Sequence, residues 1–236
     1  MSVFERAALR LLAWAGLDLD FAISVRDEPV SRITEALYLG VRPVPGAVAG
    51  LRDVGITHVV SCLPESERAA MAFLGDAFST LFLPLADRMD EDIAATFPAC
   101  RAFCDDAWGA GGRVFIHCEV GVSRSASQVI ALLMQSEGEG FLATYQRVRR
   151  RRSRVLPNIG FAAQLQRLER ELRGAGGRPG VAGEPSSLAR YLKEVCNAPV
   201  EIEVLQSVLH EHDDDAVAAI EAIFGEIPRV VQGVRR

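Results

Sequence analysis

The sequence predicts an α/β protein, with a central, mostly parallel sheet flanked by helices and a small all-α three-helix segment at the C-terminus. Three observations carry this reading. Short strand-like runs alternate with helical ones from about residue 31 to 173, the order expected of a layered α/β domain. Arg113-Val114-Phe115-Ile116-His117 is a nearly continuous apolar run, which suits a strand buried on both faces. Residues 174–187, GAGGRPGVAGEPSS, lose every apolar period and form a linker to a tail of helical character.

The elements follow in order. Phe4, Ala7, Ala8, Leu11, Leu12 and Ala15 fall on one helix face, so residues 1–30 are a helical extension. Ala36-Leu37-Tyr38-Leu39 reads as a strand closed by Gly40, Thr57 to Cys62 as a second, and Leu81 to Leu85 as a third. Residues 92–108 are helical, with Ile93, Phe97, Cys100, Ala102 and Phe103 available to a buried face. The strand ending at His117 is followed by a helix from about Ser123 to Gln135, and helical patterns return at 140–152 and 159–173.

Composition narrows the function classes. A net charge of −5 gives no bulk attraction to nucleic acid. Lys193 is the only lysine among 26 basic residues, which genome base composition explains. Five cysteines at irregular spacing form neither a disulfide framework nor a zinc-ligand set, so no metal and no cofactor is expected, and a reducing, cytoplasmic location is, with the nucleus as the alternative. No apolar run reaches 18 residues, so no transmembrane segment is expected. Glu5, Asp18 and Asp20 argue against a leader peptide, and Ser at position 2 excludes N-myristoylation.

The chemistry sits in Phe115-Ile116-His117-Cys118-Glu119-Val120-Gly121-Val122-Ser123-Arg124-Ser125. A turn between a buried strand and a helix lets backbone N–H groups converge, and with the helix N-terminus they make an anion site. Glu119, Val120, Gly121, Val122, Ser123 and Arg124 would line that phosphate cradle. Gly121 supplies backbone angles that other residues resist. The same field favours a thiolate at Cys118, a nucleophile aimed at a bound phosphoryl group. Arg124 offers a planar pair of donors to two phosphate oxygens and follows the charge of the transition state. Ser125 can donate to the Cys118 sulfur when it leaves.

His-Cys-x5-Arg-Ser is the signature of cysteine-based protein phosphatases, and HCEVGVSRSAS resembles the dual-specificity version. The resemblance covers residues 31–173 and implies a catalytic domain acting on phosphorylated protein through a phosphocysteine intermediate. It implies a general acid on an upstream loop, where Leu83-Pro84-Leu85-Ala86-Asp87 fits and Asp87 takes the role. Asp90 and Glu91 are rivals, and Asp92 is read as the cap of the following helix. Leu156-Pro157-Asn158-Ile159-Gly160-Phe161 resembles the family's Pro-Asn-x-x-Phe segment, in which Asn158 would hold the phosphate loop, while His117 would orient it. About 140 residues make a short domain, so the resemblance implies a shallow pocket admitting phosphoserine and phosphothreonine as well as phosphotyrosine. Relatives acting on phosphoinositides carry lysines in the loop, which Glu119 does not match.

Other features have two readings each. Arg147 to Arg154 is either a solvated helix end or a docking patch for acidic or doubly phosphorylated substrate. Nucleic acid is disfavoured because no aromatics interleave. Cys62 is either a buried small residue or a reversible disulfide partner of Cys118. Residues 188–236 are similar to a CUE or UBA-type module, which implies ubiquitin as a partner through Val195, Cys196, Ile223 and Phe224. A helical module with another partner and a stability cap are the other readings. The alternatives to a protein phosphatase are a phosphatase for phosphoinositide, RNA 5′ ends or glycan, and a phosphoprotein- or ubiquitin-binding adaptor.

Overall fold

The computed structural model describes residues 29–174, 186–196, 198, 201–212, 218, 219 and 222. The helix expected over 2–16, most of the linker, and Ile223 and Phe224 lie outside them.

A five-stranded sheet organises the chain, in the order β1 (Val30–Arg32), β2 (Leu37–Gly40), β5 (Val114–His117), β3 (His58–Leu63), β4 (Ser79–Pro84). Only the β1–β2 pair is antiparallel. The strand alternation shows in the burial. Leu37, Leu39, Val60, Cys62, Val114, Ile116 and Cys118 face one core, while Tyr38, Val59, Leu63 and Phe115 face the other. β2, β3 and β5 are therefore covered on both sides, as parallel strands with crossovers require. The three-residue β1 is too short to show a period, and sequence reading passed over it.

The smaller core is closed by α1 (Val48–Asp53) and by a 3₁₀ turn over Ala69–Leu74. The larger takes α2 (Phe97–Gly109), α3 (Arg124–Glu137), α4 (Phe141–Arg151) and α5 (Ile159–Gly174). The helix expected from residue 92 starts at Phe97, after a 3₁₀ turn at Ala94–Thr96. Pro98 sits in the first turn of α2, where its missing N–H costs nothing. Asp92 accepts from Ala95 N–H at 3.1 Å, the capping role expected of it.

Beyond the linker come α6 (Ser187–Arg190), a π-helical turn over Tyr191–Val195 and α7 (Ile202–Glu211). Ser186 caps α6 by accepting the Ala189 N–H at 3.1 Å. Leu188, Tyr191, Leu192, Leu205, Leu209 and Ala219 belong to the same core as α4 and α5. The described tail thus packs on the sheet domain and shares its interior. Val195 and Cys196 are half-buried against that core, and burial pushes the Cys196 thiol up to about 12. Nothing in this placement supports ubiquitin contact at these two residues.

Candidate active site

β5 is hydrogen-bonded on both edges, so the position of its last residue is determined by β2 and β3. The chain then turns through residues 118–123 into α3. Each carbonyl of that turn is tied off by a donor from the surrounding protein. Cys118 O faces His117 Nδ1 at 3.4 Å. Glu119 O accepts Arg42 N at 3.2 Å, and Val122 O accepts Leu156 N at 2.9 Å. Val120 O and Gly121 O accept from Arg152 Nη2 and Nε at 3.1 and 2.8 Å. Ser123 O accepts Ser127 N at 2.8 Å. The N–H groups of Glu119, Val120, Val122, Ser123 and Arg124 take no acceptor from the described residues. With the carbonyls held away, the amide dipoles and the start of α3 are left to act on an anion.

Gly121 makes the turn possible. Its φ is +67°, and a Cβ there would lie 2.5 Å from Gly40 O and 2.8 Å from Arg152 Nη2. Its N–H donates to Cys118 Sγ at 3.3 Å, and the Ser125 hydroxyl donates to the same sulfur at 3.2 Å. Two donors on a buried sulfur stabilise negative charge there.

Arg124 is buried. Its Nη1 donates to Leu85 O at 3.4 Å, and its Nε stands 3.6 Å from Asp87 Oδ2 without a hydrogen-bond partner. A buried guanidinium N–H without an acceptor is costly, and a bound oxyanion would satisfy it.

Asp87 follows β4 and is about one-third exposed. Its Oδ1 accepts from Ser123 Oγ at 2.8 Å and Asn158 Nδ2 at 2.9 Å. With Oδ1 occupied by two donors, a proton on this carboxyl resides on Oδ2, the oxygen facing Arg124. Asn158 reaches both loops: its backbone N–H bonds the phosphate loop through Ser123 Oγ at 3.1 Å, and its amide holds the Asp87 loop (Asp87, and Arg88 O at 3.3 Å). The same side chain caps α5 by accepting Phe161 N–H at 3.0 Å. Gly160 lets α5 begin against this loop, since a Cβ would sit 1.9 Å from Met89 O.

The rival acids point elsewhere. Asp90 is exposed and paired with Arg88 at 2.5 Å, which holds its carboxyl below the usual range. Glu91 Oε2 faces Ala86 N–H at 3.3 Å. Glu119 shares Arg42 with Glu67, at 3.3 and 2.8 Å.

His117 is buried, with Nε2 at 2.8 Å from Ser61 Oγ. A carbonyl only accepts, so Nδ1 carries the proton toward Cys118 O and Nε2 accepts the Ser61 hydroxyl. Burial, with Arg42 and Arg124 nearby, lowers its pKa from 6.5 to about 4, so it orients the loop as a neutral ring. Stability then depends on pH. The unfolded chain takes up this proton first on acidification, so the contribution is complete above about pH 6.5 and is lost as pH falls toward 4. Urea unfolding should show a loss of about 2 kcal/mol from this group between pH 7 and 5. His117→Asn should remove that component. Equal acid sensitivity in both proteins would contradict it.

Arg152 corrects a sequence expectation. It is 1% exposed and, besides the two loop carbonyls, reaches Ser31 Oγ at 3.2 Å. It is neither a solvated helix end nor a docking residue, but a buried brace behind the phosphate loop. The signal was helical phase: Phe141, Tyr145 and Val148 are buried, and 152 continues that stripe. Arg150 and Arg151 are exposed, as expected for a surface run. Ser61 and Arg42 also escaped sequence reading, because their partners are 56 and 77 residues away. Cys62 is buried, and burial followed by the proximity of Cys118 pushes its thiol up. Among the described residues no group of three or more His, Cys, Asp or Glu could hold a metal ion, and no helix is long and apolar enough to cross a membrane.

Comparison with known proteins agrees with this geometry. Dual specificity protein phosphatase 1B of Arabidopsis thaliana is 34% identical over 145 residues, covering 61% of this chain and 84% of that protein. Protein-tyrosine-phosphatase MKP1 of the same plant is 31% identical over 189 residues, 78% of this chain but 22% of that longer protein. The crystal structure of human tyrosine phosphatase-like serine/threonine/tyrosine-interacting protein superposes with a TM-score of 0.57 at 32% identity, covering 60% of this chain and 96% of that one. The family model "Dual specificity phosphatase, catalytic domain" matches residues 37–171, more than half of the sequence, and the chain belongs to that family.

Proposed function

We propose that this protein phosphatase hydrolyses phosphotyrosine, phosphoserine and phosphothreonine on protein substrates, with Cys118 as nucleophile, Arg124 as phosphate clamp and Asp87 as general acid. The observation that carries the assignment is the Cys118 sulfur. It takes two donors inside a loop whose carbonyls are all tied outward, and that loop leads into Arg124, whose Nε lies 3.6 Å from Asp87 Oδ2. In the first step the S–P bond forms as the ester O–P bond breaks, and the Asp87 proton on Oδ2 passes to the leaving oxygen. In the second, water attacks phosphorus, its proton passes to Asp87, and the S–P bond breaks while Ser125 donates to the departing sulfur. The net change is ester plus water to alcohol plus phosphate.

Phosphoprotein is favoured over polyphosphorylated lipid by the rim. Arg42 serves two carboxylates, Glu119 and Glu67, so this group of three carries net negative charge where further phosphates would meet it. One like-charge contact at a wet rim costs on the order of 1 kcal/mol, about fivefold in rate. Rates should therefore be compared in parallel on phosphotyrosine, phosphothreonine and phosphoserine peptides and on soluble phosphoinositide headgroups. The expected order places the peptides ahead by about fivefold. Faster turnover of the headgroups would sink the protein-substrate reading.

We assign residues 31–173 to the catalytic unit and the described tail to a cap on it. The described cysteines are all free thiols, which suits a reducing compartment, the cytoplasm or nucleus.

A further inference from the structure

We infer that the segment beyond the linker is built into the catalytic apparatus: Tyr191 is a positioning residue that holds Asp87 in register through the Pro157–Asn158 peptide. The inference rests on the reading of Asp87 as general acid.

Tyr191 is fully buried, and its ring is boxed by Tyr145, edge-on at 5.1 Å, and Phe141 at 5.3 Å. A buried phenol needs a partner, and this one donates to Pro157 O at 2.8 Å. That carbonyl and the Asn158 N–H belong to one planar peptide unit, so whatever sets the direction of the first sets the direction of the second. The Asn158 N–H donates to Ser123 Oγ at 3.1 Å, and the Ser123 hydroxyl donates to Asp87 Oδ1 at 2.8 Å. Asn158 Nδ2 reaches the same oxygen at 2.9 Å. Two routes therefore run from the tail hydroxyl to the carboxyl oxygen that leaves the proton on Oδ2.

The surrounding geometry makes this a deliberate fastening. Residues 156–158 are held by the phosphate loop on one side, through Leu156 N–H on Val122 O at 2.9 Å, and by the tail on the other. Pro157 itself has no N–H to contribute, so its carbonyl is the only backbone handle that residue offers. The tail is seated by Leu188 N–H on Gln166 Oε1 at 2.9 Å, at the middle of α5. Tyr191 opens the π-helical turn, in which Cys196 N–H closes back on Tyr191 O at 3.1 Å. Such widened turns recur where a helix must deliver a side chain to a site. The family match ends at residue 171, so this support comes from outside it.

The prediction is kinetic. A general acid matters most when the leaving group is poor, so kcat/KM is measured with phenyl phosphate and with p-nitrophenyl phosphate on the full chain. Tyr191→Phe keeps the ring and removes only the hydroxyl. It should lower the phenyl phosphate value about five- to tenfold more than the p-nitrophenyl phosphate value, a fraction of what a general acid contributes. Asp87→Ala should show the larger discrimination, and Tyr191→Phe placed in that background should add none. Leu209→Ala, which loosens the same cap without touching the hydroxyl, should lower thermal stability and leave the substrate ratio unchanged. If Asp87→Ala discriminates but Tyr191→Phe lowers both substrates equally, or neither, the inference is overturned and the acid assignment stands. If Asp87→Ala shows no discrimination, the acid assignment fails and the inference with it.

Discussion

Cys118→Ser is expected to lose turnover of a small aryl phosphate by roughly four to six orders of magnitude, as removal of a nucleophile does when acid and oxyanion donors alone remain. The reason is local. The donors from Gly121 N–H and Ser125 Oγ stabilise an anionic sulfur at this position, whereas a serine hydroxyl holds its proton far more tightly. The phosphate cradle is backbone, and its carbonyls are fastened by Arg42, Arg152, Leu156, His117 and Ser127 rather than by the sulfur. Oxyanion binding should therefore survive the substitution. The measurement is kcat in parallel with the affinity for a phosphotyrosine peptide: catalysis lost, binding kept. Hydrolysis by Cys118→Ser within about tenfold of the parent rate would remove the phosphocysteine mechanism. The same pair of assays separates an enzyme from an adaptor. That distinction matters because one structural relative is described as a phosphatase-like interacting protein.

Asp87→Ala is the second large effect, about 10²- to 10⁴-fold in kcat/KM for substrates with poor leaving groups. Its side chain is one-third exposed and among the described residues pairs with one charged group, Arg124 at 3.6 Å, so its removal should leave the fold and the phosphate clamp in place. Ser123 Oγ and Asn158 Nδ2 lose an acceptor, but they sit where water can replace it. A protein that binds phosphopeptide and cleaves it slowly is the result, and its capture of substrate from a mixture of phosphopeptides is the practical readout. Asp90→Ala should leave the rate near that of the parent, because that carboxylate is exposed and spent on Arg88. Reversal of these two phenotypes would move the acid to residue 90.

How much of this was legible beforehand depended on the distance over which each feature is determined. The strand, turn and helix around Cys118 are contiguous, and the reading of glycine at 121 and arginine at 124 comes from that turn alone, so the residues proposed as nucleophile and clamp could be picked out directly. Asp87 was legible only with the family pattern in hand, because four acidic groups occur between 87 and 92. The structure separates them by partner: Ser123 and Asn158 for one, Arg88, Ala86 N–H and Ala95 N–H for the others. For Asn158 the motif pointed to the phosphate loop, which its backbone N–H reaches through Ser123 Oγ; that its side-chain amide turns to Asp87 is decided by the packing of the two loops.

The tail shows the same limit from the other side. Its helical patterns were plain, yet an amphipathic face does not state what covers it. Packing supplied the answer by placing Leu188, Tyr191 and Leu192 against α4 and α5.

By itself the amino-acid order determined the α/β layering, the nucleophilic loop and the family, because each rests on short-range periodicity or a contiguous motif. Only the tertiary structure decided that Arg152 lies under the loop, that the Asn158 amide bonds Asp87 and that Tyr191 reaches Pro157. Those contacts join residues 31 to 71 positions apart. At that separation a side chain's role is determined by which surfaces come together on folding, and no local pattern encodes it.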